Sequence, residues 1–164
     1  KFFGSVLPKS TYGLSVGFNY KNFDFSVDSY GTLGAKVYNG KKAQRFSGEN
    51  IEDTVASNFW TANNTTAGNP AAFNYVPVAS TYYLESGDFW RINNITIGYK
   101  LPKFTEAITS ARVYFNAMNP FIAKKFSGFT PELNGDGNPY GTQGIELDAY
   151  PTLKSFVLGV NLKF

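Results

Sequence analysis

The chain has 164 residues, a length that suits one domain. It contains no cysteine and no histidine, which excludes disulfides, Cys/His metal sites and every catalytic scheme built on either residue. Its 15 basic and 12 acidic residues are spread evenly to a net charge of +3, with no basic block, so nucleic acid is not an expected partner.

Aromatic residues make up 18% of the chain and outnumber all charged residues together, at 16%. Mean hydropathy is nevertheless slightly negative, and no apolar run approaches the ~18–20 residues that a membrane helix needs. A helical membrane protein is therefore excluded. A β-barrel is not, because its strands alternate apolar and polar residues and average out as mildly polar. The first residues, Lys1-Phe2-Phe3-Gly4, lack the apolar stretch and cleavage site of a signal peptide. For an exported barrel, that leads to the expectation that the true N-terminus lies upstream.

Five segments alternate with period two. The first sets Tyr12, Leu14, Val16, Phe18 and Tyr20 against Gly13, Ser15, Gly17 and Asn19. Lys21-Asn22 makes a tight connection. The second segment sets Phe23, Phe25 and Val27 against Asp24, Ser26, Asp28 and Tyr30, so the pair reads as a hairpin. A loop rich in Gly, Asn, Pro, Ser and Thr then runs from about Val37 to Gly87. Within it, Ile51, Val55 and Phe59 predict a short helix over Asn50–Trp60. A loop of that length points to function.

The third strand carries Ile95, Ile97, Tyr99 and Leu101 opposite Asn94, Thr96, Gly98 and Lys100, and Pro102 ends it. The fourth carries Val113, Phe115 and Ala117 opposite Arg112, Tyr114, Asn116 and Met118. A second Gly/Pro/Asn-rich loop spans about Ser127 to Tyr150. The last strand shows Phe156, Leu158, Val160, Leu162 and Phe164 on one face.

Connections alternate short, very long, short, long, as in outer-membrane barrels with short periplasmic turns and long extracellular loops. With a periplasmic C-terminus, Asn22 faces the periplasm, while Asn64 and Asn134 lie outside. Tyr20, Phe23, Tyr99 and Phe164 then share one end, where an aromatic girdle belongs. The apolar faces meet outer-membrane lipid. The polar faces, with Asp24, Asp28, Arg112 and Asn116, line a wet lumen. A soluble aromatic-rich β-sandwich gives the same alternation. Segments of about 9–11 residues favour the barrel, since sandwich strands usually run about 5–6.

Several ordered motifs resemble SusC/RagA-type TonB-linked outer-membrane proteins. They are Tyr20-Lys21-Asn22-Phe23-Asp24-Phe25-Ser26-Val27, the run from Glu85 to Pro102, the run from Ala111 to Phe121, Gly128-Phe129-Thr130-Pro131-Glu132, and the closing Tyr150-Pro151 to Phe164. The run from Glu85 is similar to the family's "EDGSYLRLKNITLGYTLP" pattern, with Asp88 and Trp90 as departures. In the Ala111 run, Met118 and Pro120 stand where the family has Gln and Leu.

The resemblance implies an all-β fold: the C-terminal strands of a transmembrane antiparallel β-barrel of the large plugged class, with plug and TonB-engaging segment upstream. It implies import of glycan or peptide fragments across the outer membrane of a Gram-negative bacterium of the Bacteroidota. Partners would be a SusD-like surface lipoprotein, TonB through the upstream region, and the barrel-assembly machinery. A structural subunit of a larger outer-membrane assembly is the alternative.

Candidate sites follow. Phe164, a terminal aromatic on an alternating strand, resembles the signal read by the assembly machinery, or is a girdle residue only. Trp60, Tyr82, Tyr83 and Trp90 are candidate substrate or partner contacts, because aromatic faces stack on sugar rings; loop packing or an outer girdle is the plainer reading. Asp24 and Asp28 share a face but have no acid/base partner, so solvated lumen charges are expected and catalysis is not. Asp136, within Asn134-Gly135-Asp136-Gly137-Asn138 and near Glu146 and Asp148, is a weak calcium candidate set against ordinary turn chemistry. Lys41-Lys42 and Lys124-Lys125 read as solvated loop charges. No cofactor is expected.

Overall fold

The structure is a computed structural model that describes residues 2–44, 53–71, 78–103, 106–132, 144–147 and 149–164. Five long strands build one sheet: β1 (Ser10–Tyr20), β2 (Phe23–Leu33), β5 (Phe89–Leu101), β6 (Ser110–Lys124) and β8 (Ser155–Lys163). Between them come β3 (Lys36–Asn39), β4 (Leu84–Ser86) and β7 (Ile145–Glu146). The large sheet runs β1-β2-β5-β6-β8, all antiparallel, so its spatial order follows the chain once the short strands are set aside. Among the described residues, no helix is long and apolar enough to cross a membrane.

The hairpin forms where expected. Lys21 takes a positive φ of 53° at the two-residue turn, and Lys100 donates its N–H to the Asn22 carbonyl, tying the turn to β5. Register then aligns the period-two pattern across all five strands. Phe18, Phe25, Ile97, Phe115 and Leu158 form one cross-strand row. Tyr20, Phe23, Tyr99, Val113 and Val160 form a row on the same face, and Val16, Val27, Ile95, Ala117 and Phe156 another. The apolar face is therefore unbroken from edge to edge. It is also bare: Leu158 is 76% exposed, Leu14 60% and Phe18 56%. A contiguous apolar face of this extent marks a lipid or partner interface. In a sandwich this face would lie under a second sheet, and the described residues place none there.

The strands outrun the expectation at one end. The third begins at Phe89 instead of Asn94, and the fourth continues past Met118 to Lys124. The cause is a bulge. Asn94 pairs with Met118, but Ile92 pairs with Phe121, so Asn93 faces two residues, Asn119 and Pro120. Asn119 has a φ of 50°, as bulge residues often do. The extra residues break the alternation in sequence while the hydrogen-bonded ladder goes on.

Beyond the bulge, the polar side of the sheet is covered. The loops expected as irregular carry the small sheet β4-β3-β7, antiparallel between β3 and β4 and parallel between β3 and β7. Val37, Tyr83, Phe89 and Phe126 are buried there, so the protein's core sits at the long-loop end. The helix expected over Asn50–Trp60 is shorter. Helix α1 spans Gly40–Gln44 and α2 only Asp53–Ala56. The Ser57 N–H closes the last helical bond on the Asp53 carbonyl, and the Ser57 hydroxyl donates to the same carbonyl, a side-chain bond that competes with helix continuation. Trp60 then donates its N–H to the Asn69 carbonyl at 3.0 Å. Ile51 lies outside the described residues.

Candidate functional site on the polar wall and its outer rim

The wall opposite the apolar face is polar and internally bonded. Arg112 lies across Gly98 to reach Asp24 two strands away: its Nε donates to Oδ1 at 2.8 Å and its Nη2 to Oδ2, a bidentate ion pair. Asp28 accepts the Ser15 hydroxyl at 2.7 Å. The amide of Asn116 donates to Asn94 at 2.7 Å and to Thr96 at 2.8 Å. The four expected wall residues therefore share one face. Each is engaged with neighbouring strands, and the carboxylates of Asp24 and Asp28 hold separate partners.

The rim, at the long-loop end, is built around charges with buried ties. Asn39 donates to Glu85 at 3.1 Å and to Ser127 at 3.0 Å, while its carbonyl accepts the Lys42 N–H at 2.8 Å and caps α1. Glu85 also accepts from the Ser127 N–H and hydroxyl. Deeper, Arg91 contacts Glu132 in an ion pair and donates to Thr152 at 3.1 Å and Thr130 at 3.5 Å. Both side chains of that pair are nearly inaccessible, at 9% and 14% exposure. Burial pushes the Glu132 carboxyl up to about 7, and the guanidinium against it opposes that push. Arg91 and Glu132 were invisible as a pair in sequence, although Glu132 closes the Gly-Phe-Thr-Pro-Glu motif and Arg91 sits in the most specific one.

The aromatic candidates separate. Trp60 is 47% exposed on the loop. Tyr82 is half-buried, with its hydroxyl on Asn69 at 2.6 Å and the Lys42 ammonium 4.0 Å from its ring centre. Tyr83 is fully buried between Tyr38 and Tyr82. Trp90 lies on the apolar face beside Phe121, in the row of Tyr12, Gly31 and Ala123. That is the position of a girdle residue, and it points away from the polar wall. Phe164 follows β8 and is exposed.

Asp136 and Asp148 lie outside the described residues. Glu146 is buried and accepts the Ala149 N–H at 3.2 Å. Among the described residues, no group of three or more acidic side chains is placed to hold a metal ion.

No family model matches the chain. Individual relatives do. It is 31% identical to the TonB-dependent receptor SusC of Bacteroides thetaiotaomicron over 93% of its own length and 15% of the relative's. It is 30% identical to TonB-dependent receptor P26 of Formosa agariphila, over 98% of this chain and 17% of that one. TonB-dependent receptor P3 of the same organism is 27% identical over the whole chain and 17% of the relative. The chain thus spans about one-sixth of these relatives' length. Among solved structures, the RagAB peptide transporter superposes with a TM-score of 0.80 at 27% identity, covering 99% of this chain and 18% of that one. The RagAB peptide importer in its "open-open" state gives 0.78 at the same identity, over 98% and 18%. Sequence likeness, the antiparallel sheet and its two unlike faces agree: the chain belongs to the SusC/RagA family of TonB-linked outer-membrane proteins and supplies strands of a transmembrane antiparallel β-barrel.

Proposed function

We propose that these strands are the C-terminal wall and outer rim of a SusC-like TonB-dependent transporter in the outer membrane of a Gram-negative bacterium. The barrel would import glycan or peptide fragments together with a SusD-like lipoprotein seated on the long-loop end. The observation that carries this reading is the edge-to-edge apolar face backed by a bonded polar wall. It suits a sheet with lipid on one side and water on the other. The likeness to RagAB, described as a peptide importer, supports transport and the two-component arrangement.

In this reading, Asp24, Asp28, Arg112 and Asn116 line the lumen, and Trp60 and Tyr82 are the accessible aromatics of the rim. Plug and TonB-engaging segment belong to the remainder of the protein. Phe164 serves barrel assembly. No step here is catalytic: the wall residues are hydrogen-bonded to one another, and the work of transport comes from TonB.

The test uses the full-length protein in its own organism. Deletion of its gene should abolish uptake of a defined set of labelled oligosaccharides or oligopeptides, and affinity isolation from outer membranes should yield a SusD-like lipoprotein. Unchanged uptake of every oligomer tried, with isolation in a large assembly lacking such a lipoprotein, would overturn transport in favour of a structural subunit.

A further inference from the structure

Alternation cannot by itself fix how these strands pair. A slip of one residue would turn an apolar face to water, but a slip of two keeps every side chain on its own face. A tight turn fixes β1 against β2, and a modest connection plus the bulge fixes β5 against β6. The pairs β2–β5 and β6–β8 have no short connection, because residues 34–88 and 125–154 intervene; β2–β5 shares the bulge at Asn93, and β6–β8 has none. Those two pairs are where side chains lie in glycine gaps. Tyr114 of β6 stands directly opposite Gly159 of β8 and lies flat over it; a Cβ at Gly159 would meet its ring Cε1 at 2.6 Å. Arg112 crosses Gly98 of β5 to Asp24 of β2, and a Cβ at Gly98 would stand 2.5 Å from both Nε of Arg112 and Oδ1 of Asp24. On the other face, Tyr12 lies over Gly31 of β2 and its hydroxyl donates to the Phe89 carbonyl of β5 at 3.2 Å.

We infer that these aromatic–glycine and arginine–glycine joints are the register locks of the wall, and that Tyr114 over Gly159 sets the register of the last strand. A two-residue slip of β8 would bring Val157 or Asn161 opposite Tyr114. Either side chain fills the gap and evicts the ring. All apolar rows would survive that slip, so within the paired strands it is the glycine gap that penalises it. The lock concerns assembly and is independent of what the barrel carries.

The test is made in the full-length protein. Paired cysteines report register: Asn116→Cys with Val157→Cys for the observed pairing, and Asn116→Cys with Ser155→Cys for a two-residue slip. With Tyr114 present, only the first pair should cross-link. Tyr114→Ala should raise the slipped cross-link about fivefold over background, whereas Tyr114→Phe, which keeps the ring, should leave it at background. Gly159→Val should lower the amount of heat-modifiable barrel in the outer membrane, and Tyr114→Ala should restore it in the double variant. If Tyr114→Ala fails to assemble while Tyr114→Phe assembles in the observed register, the need for the ring stands. Three results would overturn the inference: a purely native cross-link in Tyr114→Ala, equal damage by Gly159→Val with and without Tyr114, or failure of Tyr114→Phe.

Discussion

Replacing Arg91 with Leu should loosen the rim in a pH-dependent way. Arg91 and Glu132 are both nearly inaccessible, and the pair ties the end of the segment after β6 to the wall, with Thr130 and Thr152 joined to the same guanidinium. Burial already drives the Glu132 carboxyl from an ordinary 4.5 up to about 7 with the guanidinium beside it, and removing that counter-charge raises it further. Breaking a buried ion pair by removing one partner costs about 3–5 kcal/mol, and residual water contact trims this to about 2 kcal/mol. The sign follows from the raised value. The penalty is absent below about 7, where the carboxyl is neutral with or without Arg91, and grows as the pH rises through that value. Amide hydrogen exchange of residues 126–132 in the purified full-length protein measures it. Relative to wild type at the same pH, exchange in Arg91→Leu should be roughly 30-fold faster at pH 9 and within about threefold at pH 5. An equal ratio at both pH values would refute the buried-carboxylate reasoning. No acceleration at all would show that the pair does not hold the segment.

Three further outcomes are expected. Leu158→Arg on the apolar face should cost about 2–4 kcal/mol of barrel stability by urea titration in lipid, and Asn116→Arg on the polar wall much less; equal costs would erase the distinction between the faces. In intact cells, an impermeant thiol reagent should label Asn64→Cys in the full-length protein and spare Asn22→Cys, since these positions lie at opposite ends of the strands; the reverse pattern would invert the proposed topology. Deleting Phe164, or changing it to Asp, should reduce the folded, heat-modifiable barrel; unchanged amounts would leave it an ordinary girdle residue.

The face pattern was legible because it depends only on period two, a local property. Tyr12 to Tyr20 and Phe156 to Leu162 read directly into rows of the sheet. The strand extensions were not legible, because Asn93 and the pair Asn119-Pro120 interrupt the period where the ladder persists. The pairing of the wall was legible in part. Asp24 and Arg112 could be assigned to a polar face, but their ion pair depends on the contact of strands joined through residues 34–88. The rim was the hardest. Tyr83 and Trp90 look alike in a list of loop aromatics, yet one is enclosed by Tyr38 and Tyr82 and the other faces outward beside Phe121. Arg91 gives no hint of burial in sequence, since its partner Glu132 comes from a different loop.

The bulge also divides the sheet by height. Below it, both faces are open, apolar on one side and polar on the other. Above it, the polar side becomes core, with Phe89 and Arg91 covered by loop residues, while the apolar side carries on through Ile92, Trp90 and Phe121. The distance between the two aromatic levels can be gauged along β5. Tyr99 to Trp90 is nine residues, one absorbed by the bulge, so the rise is about 27 Å along the strand. A strand tilt of about 40° reduces that to about 21 Å across the membrane, close to the ~25 Å apolar band of barrels of this kind. The row of Tyr20, Phe23 and Tyr99 and the pair Trp90 and Phe121 are thus spaced as two girdles. The bulge falls just inside the upper one, where the wall stops facing water and begins to support the rim.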